Sequence, residues 1–238
     1  MGITTLKFFV FLVASVIVYY IFPKKNRWIV LLIASLIFFM SACSWQLLIV
    51  LLFGIVATYI GSRLIAENLK TDKSKKIALF ITLLCIVGQL VILKYINIIP
   101  TTLNGIASVF NVNFHFATFN LLAPLGISYY ALSLIGYTLD VYRGTSEPQK
   151  NILKHTLFTC YYPVMISGPI VRYNEMKEEL FTPKEYNFKN VLFGAERIVY
   201  GLLKKMVIAD QLGIVVNAIF SQYNIYSGIY LVIGVIFY

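Results

Sequence analysis

The chain has 238 residues, of which 59% are hydrophobic and only 13% charged, and its mean hydropathy is +0.80. A soluble domain of this size needs far more charge on its surface, so the composition indicates an integral membrane protein. The net charge of +10 does not indicate a nucleic-acid-binding protein, because the basic residues are concentrated in short loops between apolar runs.

Apolar runs recur along the chain, and a helix needs about 20 residues to cross the hydrocarbon layer of a membrane. We therefore predict an all-α fold, a polytopic membrane helix bundle with about seven membrane segments and a truncated eighth. The eighth begins at Gly228 and is still apolar at Tyr238, so we expect one membrane-embedded domain over 1–238 that is incomplete at its carboxyl end. The seven runs are 8–22, 28–40, 45–60, 77–93, 121–139, 157–171 and 206–220.

The charged loops predict the topology. The basic loops 23–27 and 63–76 are typical of cytoplasmic segments, which places the amino terminus outside. The segments 95–114 and 217–227 contain no charged side chain, and we expect both to be outer loops.

The run 157–171 is an exception among these segments. It competes with 206–220 for a single crossing, and it contains Pro163, Gly168 and Pro169, which interrupt helical hydrogen bonding. We predict that it is re-entrant, a form that is tolerated in a membrane only against protein or a water-filled cavity.

Two charged stretches follow this run. The balanced charges of 172–190 predict an interfacial helix and turn on the inner face. Over 194–210, helical spacing gathers the charged side chains, including Lys204 and Lys205, on about half of the circumference. This stretch is either a helix lying on the inner membrane surface or the basic wall of a substrate access site.

The stretch "PLGISYYALSLIGYTLDVYRG" mixes polar groups into an apolar run. If Pro124 opens a helix, five residues fall on one stripe within an arc of about 80°. The stripe either packs small and hydroxyl-bearing residues against neighbouring helices or lines a cavity or tunnel. Its carboxylate could also pair with Arg143. The five residues are Gly126, Tyr130, Ser133, Tyr137 and Asp140.

A second stretch, "SGPIVRYNE", places Arg172 directly after a helix-breaking Gly168-Pro169 pair. Its guanidinium either binds phosphate or carboxylate or extends to lipid headgroups. The two histidines, His115 and His155, have no metal-ligand partner at helical spacing, so we expect no metal site and place both at the surface or the membrane interface.

Three stretches in this order resemble the membrane-bound O-acyltransferase family, most closely its bacterial branch that modifies alginate and teichoic acids. They are "PLGISYYALSLIGYTLDVYRG", "YYPVMISGPIVRYNEM" and "GLLKKMVIAD", and the resemblance is continuous from Leu121 to Asp210. It implies a multi-helix enzyme with a tunnel through the bilayer, which moves an acyl group from an inner-face donor to a hydroxyl outside.

The family's catalytic histidine, a general base, lies in a Trp-His segment that this chain does not contain. The resemblance therefore implies the amino-terminal half of an acyltransferase, inactive alone, with the catalytic role assigned to neither His115 nor His155. It also implies that no cofactor is bound and that the acyl donor, an acyl-CoA or a carrier thioester, is a substrate.

The function expected on this basis is transfer of an acyl group, acetyl by preference, to hydroxyls of an exported or cell-wall polysaccharide. The expected partners are the bilayer of the plasma membrane, a cytoplasmic donor or carrier protein, and a polysaccharide or another external acceptor. A transporter or flippase and a truncated, non-catalytic membrane scaffold are alternatives. Tyr130, Ser133, Tyr137 and Asp140 would line or brace the tunnel, and the donor-side approach would comprise Gly168, Pro169, Arg172, Lys204 and Lys205.

Overall fold

The computed structural model describes residues 4–68, 71–109, 126–222, 225–226 and 228–238, and the regular elements in these ranges are all helical. A 3-10 turn at Lys24–Asn26 precedes α2, and π-helices cover Leu64–Asn68 and Lys204–Ala209. The all-α prediction is confirmed. The helices are α1 (Leu6–Ile21), α2 (Arg27–Ala42), α3 (Trp45–Arg63), α4 (Asp72–Tyr95), α5 (Ile98–Val109), α6 (Ile127–Tyr142), α7 (Ile152–Cys160), α8 (Tyr162–Met165), α9 (Tyr173–Phe181), α10 (Phe188–Leu203), α11 (Asp210–Ser221) and α12 (Ile229–Phe237).

Three helical segments in the described ranges are long and apolar enough to cross a membrane: Lys24–Ala42, Trp45–Ala66 and Asp72–Tyr95. Leu6–Ile21 is a shorter apolar helix. These segments coincide with the first four apolar runs of the sequence. The count of seven segments and a truncated eighth stays a prediction.

Helix α5 lies inside the segment 95–114, which we expected to be an outer loop. The absence of charge predicts the side of the membrane but not the backbone conformation, and Pro100 lies in the first turn of α5, where a helix tolerates proline. The expectation of a loop was therefore wrong for residues 98–109.

The chain divides into two compact units, Met1–Lys184 and Glu185–Tyr238. The single domain over 1–238 stays a prediction, and each unit is described by itself. In the first unit α3, α4 and α6 pack together around a core that includes Leu51, Ile55 and Leu134.

Helix α6 begins later than the sequence suggests. Pro124 lies outside the described residues, and the N-cap of α6 is Gly126, whose φ of 76° is left-handed. Gly126 therefore precedes the helix and is not part of the helical stripe, which corrects the prediction. A Cβ at this position would overlap the carbonyl oxygen of Met165, so the close approach also requires glycine.

The segment between α6 and α9 is broken, because α7 has nine residues and α8 only four. It starts beside the carboxyl-terminal end of α6, where the backbone N–H of Gln149 donates to the Tyr137 hydroxyl. The backbone N–H of Tyr162 in α8 then donates to the Ser35 hydroxyl, and the Tyr162 hydroxyl pairs with that of Ser15. Ser35 and Ser15 lie near the middles of α2 and α1, so α8 lies at mid-height of the bundle.

The chain then turns back. Gly168 contacts the ring of Tyr129 near the start of α6, residues 168–172 run without regular structure, and Arg172 bonds to Asp140 near the end of α6. The segment thus enters and leaves at the same end of α6. This path is that of a re-entrant segment, and its placement in a membrane stays a prediction.

In the second unit, α10, the π-helix and α11 form one unbroken helical run from Phe188 to Ser221. No side chain of α10 is buried. Helices α11 and α12 contact each other where Gly234 allows close approach to Ile219 and Phe220. The stretch 194–210 is therefore helical as predicted, and its place at a membrane surface or an access site stays open.

Candidate functional site

The polar side chains of α6 form hydrogen bonds with polar residues of neighbouring segments. The Tyr130 hydroxyl accepts a hydrogen bond of 3.2 Å from Nε2 of Gln89 in α4. Gly54 in α3 leaves the room that Gln89 occupies, since a Cβ there would lie 3.2 Å from Gln89 Oε1. Among the described residues, this Oε1 has no hydrogen-bond donor. The side-chain amide of Gln89 therefore donates one hydrogen bond to α6, while its buried carbonyl oxygen accepts none from the described residues.

Tyr137 lies one turn before the end of α6 and is fully buried. Its hydroxyl accepts the Gln149 N–H at 2.8 Å and lies 3.3 Å from the Ser62 hydroxyl of α3. Its ring packs against Tyr173 with centroids 5.1 Å apart. Tyr137 therefore joins α3, α6, α9 and the loop before α7.

Tyr173 opens α9 beside this cluster. Its hydroxyl accepts a bond of 2.6 Å from Nε2 of Gln149. Burial raises the pKa of Tyr173 to about 12, and the neighbouring Tyr137 adds to the rise. The phenol is neutral at physiological pH, so Tyr173 anchors Gln149 as an uncharged acceptor.

His155 is buried in α7, which corrects the surface or interfacial position expected from the sequence. Its Nε2 lies 2.9 Å from the Thr58 hydroxyl of α3, which donates to the Gly54 carbonyl. Since that hydroxyl hydrogen is used, Thr58 accepts from Nε2–H, and the free lone pair of the ring is on Nδ1. Nδ1 has no partner among the described residues, and the ring packs 4.9 Å from that of Tyr137.

Asp140 and Arg172 form an ion pair between the polar stripe and the "SGPIVRYNE" stretch. One guanidinium nitrogen donates to both carboxylate oxygens, at 2.7 and 3.0 Å. The side chain of Asp140 is 7% exposed and that of Arg172 is 61% exposed. The alternative pair of Asp140 with Arg143 is therefore wrong. Arg172 thus binds the buried Asp140 carboxylate through Nη1, while the other N–H donors of its guanidinium belong to a largely exposed side chain.

The turn after α6 is tied to α9 as well. The Asp140 carbonyl accepts the N–H groups of Thr145 and Ser146. Asn174 in α9 donates to the Thr145 carbonyl at 2.8 Å and accepts from the Ser146 hydroxyl at 3.0 Å. These bonds fix the start of α9 beside the end of α6, so Arg172 reaches Asp140 from a position set by the backbone.

The returning limb 168–172 carries unused backbone groups. The N–H groups of Ile170, Val171 and Arg172 donate no hydrogen bond to any described residue. Pro169 and Ile170 are exposed on the limb, while Gly168 contacts Tyr129 through a conformation with φ of 79°. Backbone donors left free in this way require water, a substrate or further protein as hydrogen-bond partners.

Three further residues were predicted for the site: Ser133, Lys204 and Lys205. Ser133 is half-buried in α6. In the second unit, the Lys204 ammonium lies 4.6 Å from the ring centre of Tyr200, and Lys205 pairs with Asp210 at 2.7 Å. Both lysines belong to the π-helix, a form that is frequent at functional sites. The roles of all the predicted site residues stay predictions.

Several hydrogen-bond partners of the stripe residues were not predicted from the sequence. Gln89, Thr58 and Ser62 are isolated polar residues inside the apolar helices α3 and α4, and Gln149 and Asn174 lie in charged segments. A polar side chain in a membrane helix is a signal for a buried hydrogen bond. That signal could have singled out the three helical residues, although not their partners. No group of three His, Cys, Asp or Glu that could hold a metal ion occurs among the described residues.

Comparison with known proteins finds relatives that are named as alginate O-acetylases and as a peptidoglycan O-acetyltransferase, which confirms the resemblance to O-acyltransferases seen in the sequence. The probable alginate O-acetylase AlgI of Azotobacter vinelandii is 30% identical over 221 residues, which cover 90% of this chain and 42% of that protein. The probable alginate O-acetylase AlgI of Pseudomonas aeruginosa is 29% identical over 225 residues, with 92% and 42% covered.

A relative with a different acceptor in its name is also similar. The peptidoglycan O-acetyltransferase of Helicobacter pylori is 30% identical over 217 residues, covering 80% of this chain and 39% of that protein. The chain spans about two fifths of the length of these relatives. No sequence model of a protein family matches it.

Proposed function

We propose that this chain supplies part of a multi-pass plasma-membrane O-acyltransferase, which transfers an acetyl group from an inner-face donor to hydroxyls of an exported or cell-wall polysaccharide. The observation that carries the proposal is the similarity at 30% identity over 90% of the chain to a probable alginate O-acetylase. The donor is an acyl-CoA or an acyl carrier thioester, which acts as a substrate. The acceptor is a polysaccharide or an external acyl-accepting partner.

Within this function the Asp140–Arg172 pair holds the inner end of the site together. The pair joins the polar stripe to the returning limb of the broken segment, two stretches on which the family resemblance rests. Arg172 keeps donors directed outward, and a guanidinium suits the phosphates of a CoA or phosphopantetheine donor. Gly168 and Pro169 shape the limb that leads to it.

The other predicted residues support this arrangement in two ways. Tyr130 and Tyr137 brace α6 through Gln89 and Gln149, and Ser133 lies on the same stripe between them. Lys204 and Lys205 attract the anionic donor or its carrier protein by long-range steering. The catalytic base is not assigned to His155, which is enclosed by Thr58 and Tyr137 and offers no access to a substrate.

The test is ester-linked acetate in the cell envelope of a strain in which the gene is deleted and then restored as variants. Arg172→Ala should lower acetate per unit of membrane-inserted protein about tenfold or more, since a misplaced site costs up to about a hundredfold. Lys184→Ala is the matched control, because Lys184 makes an exposed ion pair with Glu179. Acetate that is unchanged on deletion of the gene overturns the function. Acetate that is lost on deletion but normal in Arg172→Ala overturns only the role of Arg172.

A further inference from the structure

A groove separate from the candidate site opens between α3 and α4. Its volume is about 460 Å³, and on this side it runs from Ala57 in α3 to Leu64, the first residue of the following π-helix. At 1.5 Å per residue this is a length of roughly 10 Å along the helix axis. On α4 the lining runs from Ser74 to Cys85, so the groove occupies the carboxyl-terminal end of α3 and the first half of α4, next to the basic segment 63–76.

Small residues form the floor of the groove and branched residues form its walls. A Cβ at Gly61 would overlap the side chain of Thr82, so the two helices touch at this point. Ala57 and Ala78 line the groove on either side of the contact, and the exposed side chains of Ile60 and Ile81 rise beside it.

The lining is suited to hydrocarbon. The Thr82 hydroxyl donates to the Ala78 carbonyl of its own helix at 2.8 Å, so it does not need a partner in the groove. Most of the other lining side chains are aliphatic, with Cys85 at the end far from the charges. A chain of methylene groups can fill such a space without leaving a polar group unsatisfied.

Positive charge is concentrated at the other end. Ser74 lines the groove there, and Lys73, Lys75 and Lys76 lie in the adjoining turns of α4. Asp72 is the acidic residue in the first turn of α4. The basic segment is on the cytoplasmic side by the charge rule, where the membrane leaflet carries anionic lipids.

We propose that this groove binds an anionic phospholipid of the cytoplasmic leaflet. One acyl chain lies between α3 and α4, and the headgroup phosphate contacts the lysines at the start of α4. A further transmembrane helix fits less well, because it would need a contact stripe along the whole helix pair, whereas the groove ends at Ala57 on α3 and at Cys85 on α4. The short apolar slot with cations at one end matches the shape and charge of a lipid.

The test is native mass spectrometry of the protein released from bilayers of equal parts phosphatidylglycerol and phosphatidylcholine. The unaltered protein should retain phosphatidylglycerol in preference to phosphatidylcholine. Ala78→Leu, which fills the groove, should lower the retained phosphatidylglycerol about fivefold or more, and Lys73→Gln with Lys76→Gln should lower the preference about fivefold per lysine.

Two controls separate this site from general lipid contact. Gly88→Leu adds the same side chain on α4 where a Cβ meets nothing within 4 Å, and Lys177→Gln removes a cation from α9. Both should leave lipid retention unchanged. Equal retention of the two lipids by the unaltered protein, or equal loss in Ala78→Leu and Gly88→Leu, overturns the proposal.

Cys85 supplies a second measurement that does not depend on the folding of a variant with a filled groove. In protein whose Cys43 and Cys160 are replaced by Ala, added phosphatidylglycerol should slow maleimide labelling of Cys85 more than added phosphatidylcholine does. Labelling that responds equally to both lipids contradicts the proposal. Neither of these two measurements involves acyl transfer. A negative result would therefore overturn the lipid site and leave the proposed function intact.

Discussion

The two units of the chain differ in how they hold their charged and polar groups. In the first unit, bonds join residues far apart in sequence: Arg172 holds Asp140, and Tyr162 bonds to Ser15. In the second unit, Lys205 pairs with Asp210, five residues away on the same helical run. Pairs of the first kind fix the tertiary structure, whereas those of the second kind support only a local stretch of helix.

The largest loss of stability in the first unit is expected for Gly126→Ala. The left-handed φ of 76° and the overlap with the Met165 carbonyl each oppose a side chain there, so we expect a loss of more than about 3 kcal/mol of stability. The readout is the fraction of protein that elutes as a folded species in detergent. Gly136→Ala, where a Cβ meets nothing within 4 Å, is the control, and equal yields of the two variants would contradict the assignment.

The next largest effect is expected at the long-range ion pair. Arg172→Ala leaves the buried Asp140 carboxylate without its partner, which should cost about 2 kcal/mol, less than for a fully buried pair because Arg172 is exposed. Thermal unfolding in detergent should shift down by roughly 4–8 °C. Asp140→Asn in the same chain should recover part of the loss, and a double variant as unstable as the sum of the singles would refute the coupling.

Tyr137→Phe removes an acceptor but leaves the packing of the ring. The Gln149 N–H, now 2.8 Å from a hydroxyl oxygen, loses its partner, so about 1 kcal/mol should be lost. A downward shift of roughly 2–4 °C in unfolding checks this. Tyr142→Phe at the half-buried last residue of α6 should have no effect. Equal shifts for the two variants would show that the Tyr137 hydroxyl does not contribute to stability.

The smallest effect is expected in the second unit. Lys205→Ala breaks an ion pair with the same 2.7 Å distance as the pair of Arg172, but both partners are about half exposed, so the cost should be below about 0.5 kcal/mol. The unfolding temperature should change by less than about 2 °C. A loss equal to that of Arg172→Ala would show that the two units do not differ in this respect.

Local patterns were sufficient to predict most of the helices. Apolar runs gave the positions of α1 to α4 within a few residues, because the hydropathy of a helix depends on its own side chains. The prolines and glycine of 157–171 correctly predicted a broken segment, since they act on the backbone directly. The helix α5 was missed because an uncharged segment is compatible with either loop or helix.

The partners of the site residues could not be predicted in the same way. Arg143 is close to Asp140 in sequence, yet the returning limb brings Arg172 to the carboxylate. His155 stands next to Lys154, which suggests a surface, yet the face of α7 that carries the histidine packs against Thr58. Both outcomes depend on where the chain turns back, and no spacing within a single helix encodes that turn.

The path of residues 152–172 has a consequence for biogenesis. Their polar anchors, Ser15, Ser35 and Thr58, lie on three helices that are synthesised earlier, and the ion pair that closes the segment requires the end of α6. A broken helix cannot satisfy its backbone in lipid alone. The contacts that hold this segment can therefore form only once α1, α2, α3 and α6 are in place.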